Sequence, residues 1–441
     1  MRFGVIIGLT LQAVAAVEQN WKHTNSLRTI DLSKSYSKES LAVIIENISE
    51  ISQDKFYVPI EDGVVYSSFE AREKSKSSGA TIVLATTKKE TDWEVTLPTL
   101  IRPGEKITLS ISSVRLNQLR PLPHKVDQNG KQYLSYKTSK FIPSRYVSSK
   151  QKTKFKLPNG DVATYSAGGD KQGSVVTYGP FENVSPGLSE SIALRYEKTA
   201  PIPVVTYFER DIEVSHWGGN LAFEERYALT NKGAELKASF DRIAFAQSGF
   251  YNPESHAIKN LVFPLPIGSK DAYFTDEIGN VSTSKFRSSF REANLDLKPR
   301  YPIFGGWNYT FTVGWNNDLS SFLKKDASKY YLRVPFLEGA ENISYDDLRI
   351  RVILPEGADN IKVTTNVTGV KIHHDKLWTF MDTKGRSVVS LTTENLTDES
   401  GKQDLLIEYE YSNAALFRKP LVVIGVVAII FLTTVFVGRV L

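Results

Sequence analysis

Apolar and polar residues alternate with a period of two through most of this chain, the pattern of strands that bury one face. In "GEKITLSISSVRL", Ile107, Leu109 and Ile111 fall on one side and Thr108, Ser110 and Ser112 on the other. The segments "TIVLATT", "ESIALRYE", "DDLRIRVIL", "SVVSLTT" and "QDLLIEYEY" behave alike and are bounded by turn residues. Breaks bearing Gly, Pro and Asn recur, as in "PNGD", "NPES" and "LPEGAD", and between the two ends no helical stripe lasts three turns. Many short strands with short breaks predict a mostly β protein of antiparallel, sandwich-like domains. The polar, Lys-rich and weakly periodic stretch from Pro121 to Gly173 predicts long loops on the first of them. Pro201 and Pro203 in "YEKTAPIPVV" stiffen a connector, which divides the β-rich part into residues 17–200 and 201–416. The pattern shows no clear internal repeat.

The ends break the alternation. After Arg2, an apolar run from Phe3 to about Leu11 and the small-residue pattern Ala13-Val14-Ala15 read as a secretory signal peptide over residues 1–16. From Leu421 to Val437 nothing is charged, and 13 of the 17 residues are Leu, Val, Ile or Phe. At about 0.3–0.6 kcal/mol each, they favour insertion by roughly 4–8 kcal/mol, so residues 417–438 read as a transmembrane helix. Residues 439–441 form a short cytosolic tail. Arg418 and Lys419 against Arg439 would by themselves place the bulk of the chain in the cytosol, but a cleaved signal outweighs a one-charge difference. The result is a single-pass type I membrane protein with most of its mass in the lumen. A span of about 25 Å suits the thin bilayer of the endoplasmic reticulum.

Composition narrows the chemistry. Twenty Tyr and 23 Phe against two Met suit packed sheets. The net charge is only +5, and the Lys and Arg are scattered, which gives no footprint for nucleic acid. With no cysteine, disulfides, thiolate metal sites and cysteine nucleophiles are excluded.

The richest candidate chemistry lies in "SHWGGNLAFEERYALTNKGAELK", Ser215 to Lys237. Phe208, Ile212 and Val214 alternate on even positions, and Leu221, Phe223, Tyr227 and Leu229 on odd ones, with Gly218-Gly219-Asn220 between. That is a strand, a glycine turn and a second strand, closed by a turn at Asn231-Lys232-Gly233. In this frame Glu224 and Glu225 point to opposite faces, which argues against a catalytic carboxylate pair. Glu225, on the apolar face, needs a partner, and Arg210 on the facing strand is the candidate. HExxH is absent, and His373 and His374 in "KIHHDKLW" read as a solvated strand end, so neither a metal nor another cofactor is expected.

"RDIEVSHWGGNLAFEERYALTNKGAELKASFDR", "DAYFTDEIGNVSTS" and "RYPIFGGWNYTFTVGW" together closely resemble the signature of the ribophorin I family, the alpha or first subunit of the oligosaccharyltransferase complex. The likeness covers essentially the whole chain and is strongest from about 205 to 355. It implies two lumenal β-rich domains and a non-catalytic role beside a many-spanning catalytic subunit and small membrane subunits. That enzyme moves an oligosaccharide from dolichyl diphosphate to Asn in N-x-S/T of nascent polypeptide. The motif residues His216, Trp217, Gly218, Glu225, Asn231, Gly305, Gly306 and Trp307 are read as structural. Only "GRVL" follows the span, a fungal-like pattern that speaks against ribosome docking, and retention is expected through assembly with partners. A type I adhesion or receptor-like sandwich protein shares the signal and the span, but not the three motifs; a membrane-anchored hydrolase lacks a nucleophile or metal signature.

Seven N-x-S/T sequons fit a lumenal chain. Asn342 and Asn395, in polar turn-like settings, are the leading glycan candidates, followed by Asn366 and Asn47. Asn183 has Pro186 just beyond its sequon, and Asn280 and Asn308 lie inside family motifs where packing is expected to restrict access.

Overall fold

A computed structural model describes residues 20–74, 81–251, 254–380 and 382–440; the signal-peptide segment and Leu441 lie outside them. Two eight-stranded sheets dominate. The first contains β1 Trp21–Asp31, β2 Ser37–Asn47, β3 Val65–Lys74, β4 Thr81–Val83, β5 Lys106–Leu116, β6 Val147–Lys156, β7 Gly169–Gln172 and β8 Val175–Val184. The second contains β9 Pro203–Ser215, β10 Asn220–Asn231, β11 Lys270–Asp276, β12 Gly279–Asn280, β13 Asn308–Asp318, β14 Ser344–Glu356, β15 Lys371–Leu377 and β16 Arg386–Thr397. A ten-residue helix, α1 (Arg242–Tyr251), is too short to show as a periodic stripe in the sequence. The chain closes with α2, Asn413–Val440, long and apolar enough to cross a membrane.

The two sheets have one topology. Their orders are β7-β8-β6-β1-β2-β5-β3-β4 and β15-β16-β14-β9-β10-β13-β11-β12, so each strand has its counterpart eight places later. In each, one pair beside the centre (β1 with β6, β9 with β14) is parallel and the other neighbours are antiparallel, so the sheets are mixed. The small sheets repeat too. Gln53–Pro59, Asp92–Ile101 and Ala85–Lys88 pair as Leu261–Leu265, Ala293–Leu297 and Lys285–Ser288 do. Arg120–Pro121, Tyr133–Ser139, Ser191–Glu197 and Val162–Tyr165 pair as Leu323–Asp326, Lys329–Pro335, Asp404–Tyr411 and Ala358–Thr365 do. The chain therefore carries an internal repeat that its hydropathy pattern does not reveal.

Local geometry repeats with the topology. The pairing of β1 with β2 is interrupted at Thr24 and that of β9 with β10 at Thr206; four residues further on stand Arg28 and Arg210, both fully buried. At the far end of each hairpin a buried asparagine makes a corner. Asn47 Nδ2 donates to the Ile51 and Ile101 carbonyls, both at 2.8 Å, while its Oδ1 accepts from Ser49 N. Asn231 Nδ2 donates to His256 O at 2.8 Å and Ile303 O at 3.0 Å, while its Oδ1 accepts from Gly233 N. Gly104 N and Gly306 N, at φ of 76° and 77°, donate to the Asn47 and Asn231 carbonyls at 2.8 Å.

The repeat hides because the inward faces have diverged. Positions equivalent in register along the parallel strands are Ser148, Gln151 and Thr153 on β6 but Tyr345, Leu348 and Ile350 on β14. All six are buried. This corrects the reading of residues 121–173 as loops: they contain β6, next to the centre of its sheet, whose polar inner face gives no apolar alternation. The consequence reaches the core. In the second half one apolar cluster runs unbroken from Val205 to Ala415, whereas in the first a polar band of His23, Ser26 and Arg28 separates two clusters.

Each hairpin tip docks on whatever follows its half of the chain. On the first tip, Lys34 O accepts from Lys198 Nζ, Ser35 Oγ donates to Asn342 O, and Tyr36 OH donates to Asp398 Oδ1 at 2.7 Å. A short parallel pairing of Lys125–Val126 with Glu235–Leu236 also joins the halves. The second tip, two residues past β9, meets α2.

Candidate functional site at the base of the apolar helix

Gly219, at φ 57°, lets the β9–β10 turn reverse, and Gly218 N donates to Ser215 Oγ at 3.2 Å. The turn presents His216 and Trp217 to the start of α2. His216 Nε2 lies 2.8 Å from Tyr409 OH, and the ring sits among Tyr330, Tyr409 and Tyr411. Burial, with nearby Lys325, holds its pKa below the usual histidine value, which keeps the ring neutral at pH 7.

Trp217 performs a more specific task. In a helix the Leu416 carbonyl would accept from the N–H of residue 420, but that residue is Pro420, which has none. Trp217 Nε1 donates to Leu416 O at 2.7 Å and replaces the missing donor, while its ring meets Phe417 edge-on. Ser412 caps the helix by accepting from Ala415 N at 3.2 Å. Ala415 rests on Gly357, where a Cβ would come within 2.8 Å of it. Lys419 Nζ reaches Asp382 Oδ1 at 2.7 Å. The first two turns of α2 are thus bolted to the sheets.

A cavity of about 580 Å³ opens beside this joint, lined by Trp217, Glu356, Arg386, Lys419, Val423 and Ile424 among others. Its charges are spoken for. Arg386 pairs with Glu213 and donates to Val214 O. Glu356 Oε1 accepts from Thr383 N, Lys384 N and Thr383 Oγ1. Burial raises that carboxyl, but these bonds outweigh it and leave the pKa below the ordinary value. Among the described residues no group of three His, Asp or Glu is placed to hold a metal. His373 and His374 lie on β15, an exposed edge strand. The site can grip a helix and offer an amphiphilic cleft; it contains no nucleophile with an activating base.

The other motif residues do not join it. Glu225 sits mid-core on β10, its Oε1 3.3 Å from Arg210 Nε and its Oε2 accepting from Tyr227 OH at 2.5 Å. Arg210 also donates to Pro335 O, Phe336 O and Glu338, and lies over the Phe223 ring. Burial pushes the Glu225 carboxyl up to about 7 against the pull of Arg210. Asn231, Gly305, Gly306 and Trp307 gather at the opposite end of β10, some 35 Å from the turn by strand rise. There Gly305 admits the Ala234 carbonyl, which would lie 2.2 Å from a Cβ. The signature thus marks two ends of one strand and its centre. Sequence reasoning missed the Gly357, Asp382 and Tyr409 side of the joint; Pro420, with its orphaned Leu416 carbonyl, was the available signal.

The sequons sort differently from expectation. Asn47 is fully buried with both amide donors used, so the fold leaves no room there for a sugar. Asn280 and Asn308 are exposed despite lying in motifs, as are Asn183, Asn342 and Asn366; Asn395 is half-buried.

The family model described as Ribophorin I matches residues 21–438. A Schizosaccharomyces pombe protein named dolichyl-diphosphooligosaccharide–protein glycosyltransferase subunit 1 is 32% identical over 430 residues, covering 95% of this chain and 94% of its own. A Caenorhabditis elegans protein of the same name is 31% identical over 425 residues, covering 95% of this chain and 72% of its own. An M1 zinc metallopeptidase structure from Deinococcus radiodurans overlaps 46% of this chain and 42% of its own at 10% identity and a TM-score of 0.29, which carries no argument.

Proposed function

The chain belongs to the ribophorin I family, and from that premise we propose that it is a non-catalytic subunit of the oligosaccharyltransferase complex of the endoplasmic reticulum membrane. It supports transfer of the dolichyl-linked oligosaccharide to Asn of N-x-S/T by bracing the catalytic subunit and shaping the lumenal path of the acceptor polypeptide. The layout is a signal peptide, two lumenal β-rich domains meeting near residue 200, one span, and a short cytosolic tail. Its partners are the many-spanning catalytic subunit and small membrane subunits.

The observation that carries this reading is the Trp217–Leu416 joint. A bracing subunit must hold its folded mass at a set angle to its own span, because a swivelling ectodomain transmits no positional information to a neighbour. An indole hydrogen bond, a glycine contact and an ion pair at the base of α2 supply that stiffness. Affinity purification of the chain in mild detergent tests the assignment. Co-purification of a many-spanning glycosyltransferase is expected, together with lost sequon occupancy on secreted proteins when the chain is depleted. A chain that purifies alone, with occupancy untouched, overturns it and favours an adhesion-type protein.

A further inference from the structure

The internal repeat supplies a control for every loop, and one hairpin fails to match its twin. In the first half, β7 and β8 are joined by two residues, Gly173 and Ser174. Their counterparts β15 and β16 are separated by eight positions, 378–385, which carry Trp378 and Phe380, 62% and 87% exposed. Phe380 is the most exposed large apolar side chain among the described residues.

On both sides of position 381 the described residues of this segment are pinned. Asp382 Oδ2 accepts from Thr379 N and Thr379 Oγ1, both at 2.7 Å, Glu356 holds the backbone of Thr383 and Lys384, and Trp378 lies over Gly385. A structure this tied down does not leave two aromatic rings in water without a reason. The reason lies in where it is tied: Asp382 pairs with Lys419, two residues before the uncharged run of α2 begins at Leu421. Phe380 is two residues from Asp382, so its Cα lies within about 7 Å of the Asp382 Cα, the residue that holds Lys419. The cavity beneath the sheets reaches Val423 and Ile424, about a helical turn into the apolar run, so the globular part descends to the same depth. Lys376 and Lys384 flank the rings in sequence and Lys419 is held at Asp382, and such amines meet phosphates while aromatics sit at the headgroup boundary.

We propose that Trp378 and Phe380 form a foot that seats the globular part on the bilayer crossed by α2, their rings lodged among phospholipid headgroups. This rests on the reading of α2 as a span. The copy in the first half, which is not followed by an apolar helix, keeps the two-residue turn.

Because the chain has no cysteine, single-cysteine probes are clean. The full-length chain in phosphatidylcholine nanodiscs would carry a nitrobenzoxadiazole label at Phe380→Cys, at Phe290→Cys as an exposed control, or at Val427→Cys within α2. Expected are a blue-shifted emission at position 380 and quenching by shallow nitroxide lipids about twofold or more beyond the control. A water-like probe at 380 beside a quenched Val427→Cys overturns the foot alone. An unquenched Val427→Cys overturns span and foot together. A probe at 380 that is shielded only when other subunits are present assigns the rings to a protein contact and overturns the lipid assignment.

Discussion

β1 and β9 hold the same place in two sheets of one topology, each paused at a threonine, yet one buries His23, Ser26 and Arg28 and the other Val205, Phe208 and Arg210. The pairing register survived while the interior chemistry was exchanged. What stayed fixed is what backbone geometry requires: the corner asparagines, the positive-φ glycines and a buried arginine that donates to the carbonyls of Ser139 or Pro335. What changed is how each arginine is balanced. Arg28 shares Glu39 with Arg115, and both arginines reach Glu61. Among the described residues, Arg210 is the one cation paired with Glu225 and Glu338. The first half can lose a member and keep a counter-charge; the second cannot.

That asymmetry can be broken experimentally, and the largest effect is expected from Arg210→Met. At pH 8, above the raised Glu225 value, it strands a buried carboxylate and should cost about 3–5 kcal/mol, against roughly half that for Arg28→Met, where Arg115 remains on Glu39. Denaturant unfolding of the solubilised chain, read separately for each half by hydrogen exchange, gives both numbers; equal losses would erase the contrast.

The pH response should differ in sign. Glu225 is raised to about 7 from 4.5, so its protonated form favours folding; this stabilisation is complete below pH 4.5 and disappears as pH rises towards 7. Burial raises Glu39 too, but Arg115 and Arg28 outweigh it and hold the pKa below 4.5. Its contribution is present above that value and is lost only as pH falls through the depressed pKa. Between pH 5 and 7, Glu225→Gln should flatten the stability profile of the second half by up to about 3 kcal/mol, while Glu39→Gln leaves the slope there unchanged.

The corners sharpen the comparison from the other side, since they are equivalent. Asn47→Ala and Asn231→Ala should each cost about 2 kcal/mol by leaving buried carbonyls unpaired, measured by the same unfolding. Asn47→Gln should also leave the glycan mass of the chain unchanged. The smallest effect is expected at the joint that has no equivalent span in the first half. Trp217→Phe keeps the ring and removes one donor, about 1 kcal/mol, visible as faster amide exchange in residues 413–419.

Legibility followed the same divide. The β9–β10 hairpin, the opposed faces of Glu224 and Glu225 and the Arg210 contact were readable because the inward positions there are apolar and the period shows. β6 was not, because Ser148, Gln151 and Thr153 are buried by hydrogen bonding and neighbours, which hydropathy does not record. The repeat stayed hidden for that reason: it lives in pairings, while the side chains that would announce it were replaced. Asn47 misled because a three-residue motif says nothing of whether its amide is spent on closing a strand.

The indole that substitutes for Pro420's absent proton has a directional consequence. A helix is a screw, so anchoring one carbonyl fixes its rotation as well as its height. The globular part therefore has a compass bearing within the plane of the bilayer, written into the residue count between Ser412 and Pro420. Adding or deleting one residue in that interval would swing the bearing by about 100° while leaving the fold and the span intact.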